Sequence, residues 1–197
     1  MTTGTWIALL IAAGLIAWAV AVYNRLVQRR NRIANAFGQI DVQLKRRYDL
    51  VPNLVDVAKR YLAHEAATLE AVTRARGAAV GAAAAARQHP ADAGVVSALA
   101  LAEQALSGSL GRLMVVAEDY PELKADETMR SLSEELTSTE NRVGFARQAY
   151  NDEVLAYNDV AAQFPALLVA RVFSFSPAGM LQATQSAAER EAPRVAF

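Results

Sequence analysis

The stretch from Trp6 to Tyr23, WIALLIAAGLIAWAVAVY, holds no charged residue. Wound as a helix rising about 1.5 Å per residue, it reaches about 27 Å, close to the roughly 30 Å hydrocarbon core of a bilayer. The polar chain beyond it cannot share that environment, so the rest of the protein is expected to hang from a membrane. A cleaved signal peptide is the competing reading, because Ala19, Val20 and Ala21 make an A-x-A match. The flanks favour retention. A signal peptide carries its positive charge ahead of the apolar run, whereas Met1 to Thr5 has none and Arg25, Arg29, Arg30 and Arg32 all follow it.

Basic residues close to a span are held on the cytoplasmic side. The expected layout is therefore a short extracytoplasmic N-terminus (1–5), a single transmembrane helix (6–23) in the cell's inner membrane, a cytoplasmic body (24–165) and a C-terminal tail (166–197). The same four arginines make a membrane-proximal basic belt suited to anionic headgroups, so the lipid bilayer is the first expected partner.

The chain has no cysteine, which removes disulfides, thiolate metal sites and a cysteine nucleophile. Its formal net charge is zero, but unevenly arranged. Arg25 to Arg47 holds seven basic residues against Asp41 alone, while Glu118 to Asp159 holds eleven acidic against four basic. Opposed segments of this kind invite mutual pairing. A basic stretch pressed against a membrane and an acidic body leave no surface suited to nucleic acid.

Helical spacing dominates the body. Ile33, Phe37, Ile40, Leu44 and Val51 fall at steps of three and four, and nothing between Tyr23 and Arg25 separates that helix from the membrane span. Pro52 is expected to stop it, with a second helix from Asn53 to about Arg87. Asp92 and Asp126 are N-cap candidates for a third helix, Ala93 to about Asp119, and a fourth ending at Pro165. Gly108 and Gly111 in the third helix suggest either close backbone approach or simple tolerance. The fourth keeps a heptad-like row from Met129 through Leu136, Val143, Tyr150 and Tyr157 to Phe164, interrupted only by Glu153. The expectation is an all-α chain: one transmembrane helix continuing into a long antiparallel up-down four-helix bundle. Counting directions brings the apolar part of the tail, Leu167 to Phe175, back to the bilayer, either as an interfacial contact or as a flap over the bundle's end. Gln182 to Arg194 has the composition of a flexible segment.

Catalytic motifs are weak. His64 and Glu65 begin HEAAT, but a zinc-protease helix needs a second histidine where Thr68 stands. Neither His64 nor His89 has a glutamate three residues ahead of it, as a di-iron bundle requires. No phosphate loop or nucleophile elbow is present, so no catalytic residue, metal or cofactor is expected. Amides and charges stand out instead: Asn31, Asn35, Gln39 and Asp41 on the first helix, and Glu140, Asn141, Arg142, Asn151 and Asn158 on the fourth. Asparagine is a poor helix former. These residues suggest either a polar layer that fixes helix register or a partner-binding stripe. In the anchor, Ala13, Ala17 and Ala21 set small residues at four-step spacing, which lets membrane helices pack closely, or they are plain filler.

The series YNRLVQRRNRIANAFGQIDVQLKRRYDLVPNLVDVAKRY from Tyr23, AHEAATLEAVTRAR from Ala63, AEDYPELKADE from Ala117, ELTSTENRV from Glu135, YNDEVLAYNDVAAQFP from Tyr150 and the closing PRVAF resembles the LemA family over nearly the whole chain. The resemblance implies a single-pass membrane protein with a helical cytoplasmic body, and it carries over no catalytic residues. Departures are Phe37 where the family usually has Trp, and Ala178 to Glu191 in a region that varies freely. Three functions follow as expectations. The first is a non-enzymatic scaffold that forms homo-oligomers or organises a membrane-protein partner. The second is an adaptor presenting substrates to a membrane protease or other quality-control enzyme. The third is an uncharacterised enzyme.

Overall fold

A computed structural model describes residues 3–181 of the chain, and every regular element among them is a helix. In order these are α1 Thr3–Lys59, α2 Ala66–Gln88, α3 Ala93–Glu118, α4 Pro121–Ala125, α5 Glu127–Ala162 and α6 Ala166–Val172. Residues 175–181 form an irregular strap after α6. The expected flexibility of Gln182 to Arg194, and the closing PRVAF, lie outside the described residues.

The membrane-like stretch and the first body helix are one helix. Its most apolar window has a mean hydropathy of 2.3 and no part of it is buried. α3 is also long and apolar enough to cross a membrane, with a mean hydropathy of 1.2. It differs in using its apolar residues within the protein, since Val96, Leu99, Leu106, Leu110 and Leu113 are all buried. The apolar stretch of α1 is thus left unburied, while α3 reads as a core helix.

Pro52 does not stop α1, contrary to the expectation from sequence. The helix continues to Lys59, and the chain reverses over Arg60–Glu65 instead. A proline in a helix interior removes the bond to the carbonyl four residues back, here that of Tyr48. That carbonyl is not left bare: Arg76 Nε, from α2, donates to it at 2.7 Å. A neighbouring guanidinium replaces the missing amide, and the helix can run on.

Cross-helix bonds give the directions. Asp41 pairs with Arg87 at 2.8 Å and the Tyr48 hydroxyl lies 3.3 Å from the Ala79 carbonyl, so α2 descends as α1 climbs. Arg46 donates to Glu135 through Nε at 3.1 Å, and Arg29 faces Glu153 at 3.8 Å, so α5 also descends along α1. These last two pairs join the basic and acidic segments singled out by charge, although Glu153, the charged intruder in the α5 row, keeps a buried Oε2 with no hydrogen bond. Between the helices lie Ile33, Phe37, Ile40, Leu44, Leu54, Leu99, Leu106, Leu113, Tyr150 and Tyr157, all nearly inaccessible. Asp92 and Asp126 cap α3 and α5, accepting from Val95 and Met129 at 2.9 and 3.0 Å. One further expectation needs correction: Phe164 is 80% exposed because α5 ends at Ala162, before the row reaches it. Of the two readings of Gly108 and Gly111, simple tolerance fits, since a Cβ at either would meet nothing within 4 Å.

The Pro52 and Arg76 effects should be coupled. Arg76→Ala is expected to cost roughly 1–2 kcal/mol by orphaning the Tyr48 carbonyl. In a Pro52→Ala background, where residue 52 supplies its own amide, the same change should cost much less. Denaturant unfolding of the four proteins tests this; equal costs in both backgrounds would show that the two residues do not share the carbonyl.

Candidate functional site

Chemistry-bearing side chains gather where α1 leaves its apolar stretch. α5 carries the dipeptide Tyr-Asn twice, Tyr150-Asn151 and Tyr157-Asn158, seven residues apart. Two helical turns bring both pairs to one side of the helix. All four side chains reach the backbone around the strap. Asn158 accepts from the Ala178 amide at 2.8 Å and donates to the Ala178 carbonyl at 3.0 Å. Asn151 grips Leu181 in the same way, at 2.9 and 3.1 Å. Each amide side chain pairs with both polar groups of one residue, as a neighbouring strand would. Tyr157 donates to the Ser176 carbonyl at 2.9 Å. The Tyr150 hydroxyl lies 2.7 Å from both the Pro90 and the Gly179 carbonyl oxygens, tying strap and α2–α3 loop to the same atom. Burial pushes the Tyr150 phenol up beyond its ordinary range, so it stays a neutral donor.

The strap passes directly over the start of α3. Gly179 donates to the Ala91 carbonyl at 3.2 Å, and a Cβ on Gly179 would come within 2.4 Å of the Ala93 Cα. Only glycine fits there. On the other side Phe173 and Phe175 meet Tyr23 edge-on, with ring centroids 4.9 and 5.5 Å away. The strap, the α2–α3 loop and α1 thus border a half-open cavity of about 870 Å³. Tyr23, Val27, Phe173 and Phe175 line it together with Arg30, Asn31, His89, Asp92, Ser174 and Ser176.

A second polar cluster sits mid-body. Arg47 is only 4% exposed, yet it is bound at 3.0 Å to Glu103 and at 2.8 Å to the Ser107 hydroxyl. Tyr48 donates to the other Glu103 oxygen. Burial, then the Glu103 charge, raises the Tyr48 phenol well above its ordinary value, so the proton stays on tyrosine. The cluster is internally satisfied and reads as a structural lock between α1 and α3.

The structure places the sequence candidates unevenly. Asn151 and Asn158 do not face α1 across a register layer; they hold the strap. Asp41 pairs with Arg87. Asn31, Asn35, Gln39, Glu140, Asn141 and Arg142 are exposed. The last two share an outward face with Phe145, which is 74% exposed. Of the basic belt, Arg29 is half-buried against Glu153, whereas Arg25, Arg30 and Arg32 are exposed. Ala13, Ala17 and Ala21 are exposed along the anchor. His64 is exposed, and among the described residues no three of His, Asp and Glu converge as a metal site. Sequence reasoning missed Arg47, although it stands at a core step between Leu44 and Val51. It also missed the strap, whose signal was the repeated Tyr-Asn.

The sequence profile of the LemA family matches residues 36–197. Two relatives are the magnetosome proteins MamQ 1 and MamQ 2 of Paramagnetospirillum magneticum, each 26% identical over 191 residues, covering 89% of this chain and 70% of the relative. The magnetosome protein MamQ of Magnetospirillum gryphiswaldense is 24% identical over 184 residues, covering 86% and 68%.

Breaking one clamp should free the strap without unfolding the helices. Asn158→Ala removes two backbone bonds, each contributing about 0.5–1.5 kcal/mol, so the Ala178 amide should exchange roughly tenfold faster or more. Gly179→Ala should have the same local effect through its collision with Ala93. Hydrogen exchange read residue by residue checks both; unchanged protection of Ala178 in Asn158→Ala would refute the clamp.

Proposed function

The chain belongs to the LemA family, and from that premise we propose that it is a membrane-anchored, non-catalytic helical scaffold that self-associates or organises a membrane partner. The observation that carries this reading is the single helix α1, which joins an entirely unburied apolar stretch to the core of the body without a hinge. A rigid joint of this kind transmits position, not chemistry. The orientation that suits it is a single pass with the N-terminus outside and the body in the cytoplasm, the arginines after Tyr23 lying on the inner side. The body that best accommodates the pairwise directions is an antiparallel up-down four-helix bundle of α1, α2, α3 and α5. The likeness to MamQ, a protein named for the magnetosome, supports a role at a membrane.

Self-association has two candidate faces. Ala13, Ala17 and Ala21 form a small-residue stripe where anchors can approach, and Asn141, Arg142 and the exposed Phe145 form an outward patch on α5. The second patch also supports the alternative of an adaptor that holds another membrane protein, such as a protease to which it presents substrates.

Absolute mass in mild detergent separates the two. A scaffold should run as a defined oligomer, and Ala17→Leu should lower its mass if anchors pack through alanine. An unchanged mass in Ala17→Leu would remove the stripe from the assembly. A monomeric parent would favour the adaptor, whose partner should then co-purify in fixed ratio.

A further inference from the structure

The cavity beside Tyr23 has a composition that neither anchoring nor strap-holding explains. Its walls divide along the axis of α1. Tyr23 meets the rings of Phe173 and Phe175 at the end next to the apolar stretch, with Val27 lining the cavity one turn on, while Arg30 and His89 lie on the side of the body. Asp92 also lines it, but its Oδ1 is taken by the Val95 amide at the start of α3. Arg30 has no carboxylate partner among the described residues. The cavity is thus apolar towards the membrane end, with the Arg30 guanidinium below it and the Asp92 carboxylate bound to the Val95 amide, and it has space for a sizeable guest.

Depth matches chemistry. Arg30 lies seven residues beyond Tyr23, about 10 Å along the helix. The headgroup layer extends roughly 5–8 Å past the hydrocarbon on each side, and an arginine side chain can reach back several ångströms towards it. An arginine is also suited to bidentate contact with a phosphate. We infer that this cavity binds the phosphate of a glycerophospholipid headgroup, with Arg30 as the main anion contact and an acyl chain leaving along Tyr23, Phe173 and Phe175. The inference rests on the membrane-anchored reading above and adds to it a specific lipid site. It gives the strap a purpose, since the strap forms one wall.

The test uses the full chain in mild detergent, stripped of lipid and titrated with phosphatidylglycerol, with native mass spectrometry counting lipids per chain. One retained lipid is expected, held about tenfold more weakly by Arg30→Ala, which loses a charge-assisted contact. Ala34→Phe, which fills the cavity without touching its charge, should weaken retention comparably. Lys124→Ala, on α4 at the other end of the body, should behave as the parent. Equal retention by the parent, Arg30→Ala and Ala34→Phe overturns the site. Glycerol phosphate competing as well as the lipid overturns the lipid as source and leaves a soluble phosphate ester. Alkaline extraction of membranes separates this from failure of the anchor: release of the parent chain would defeat the membrane reading itself, whereas firm retention combined with indifferent variants defeats only the lipid site.

Discussion

Pro52 takes an amide proton away from the helix against which α2, α5 and α6 pack, and the architecture depends on how that loss is met. An unsatisfied carbonyl inside a helix costs about as much as a lost hydrogen bond, and the proline ring adds a clash with the preceding turn. Either effect could end α1 at Val51. Arg76 removes the first by bonding the Tyr48 carbonyl at 2.7 Å. The remedy comes from α2, so the length of α1 and the docking of α2 are one event. Tyr48 strengthens the coupling, because its hydroxyl reaches both Ala79 on α2 and Glu103 on α3. A single turn of α1 thereby gathers three helices.

That turn also holds the least expected residue of the core. A buried arginine pair is seldom a net gain over apolar packing, since two desolvated charges must repay their lost hydration. What Arg47 and Glu103 supply is position. Their bonds fix how far α3 sits along α1, a degree of freedom that rows of leucine and alanine leave loose. Removing one partner would strand the other charge in the core, so the pair resists piecemeal loss even where it adds little stability.

The membrane end solves a different problem. An irregular segment carries backbone donors and acceptors that no ladder satisfies, and it stays on a protein only if side chains meet them. Asn151 and Asn158 do this as pairs of donor and acceptor, with Tyr150 and Tyr157 bonding the Gly179 and Ser176 carbonyls. Here lies the boundary of what the sequence discloses. The opposed charge of two segments points to the pairing of α5 with α1, while the helical character, both aspartate caps and the buried face of α5 follow from periodicity and local composition, because each depends on neighbours in the chain. The strap does not, because its partners lie twenty or thirty residues away and carry no period. Polar residues on α5 can be recognised as unusual from their poor helix propensity. Whether they face another helix, solvent or an extended segment depends on where the tail returns. Pro52 went astray for the same reason: the local rule was sound, and a residue on another helix overrode it.

The exposed apolar surface is not spread evenly over the molecule. Along α1 it is continuous from Trp6 to Tyr23, and at the level of Tyr23 it passes sideways to Phe173, whose ring touches Tyr23. From there it spreads over Leu168, Val172 and Phe164, each at least 53% exposed. In water such a patch, joined to a long apolar helix, would be a standing cost and an invitation to aggregate. Beside a bilayer it becomes a second foot for the body, set off to one side of the anchor. Two contacts fix a rigid body's tilt where one leaves it free to swing. Arg25, Arg29, Arg30 and Arg32 follow this level along α1, and the strap locks α6 to the core through Asn158 and Tyr157. The polar clamp of the strap and the apolar surface of α6 therefore serve one mechanical end: they hold the exposed apolar patch in a fixed place beside the start of the body.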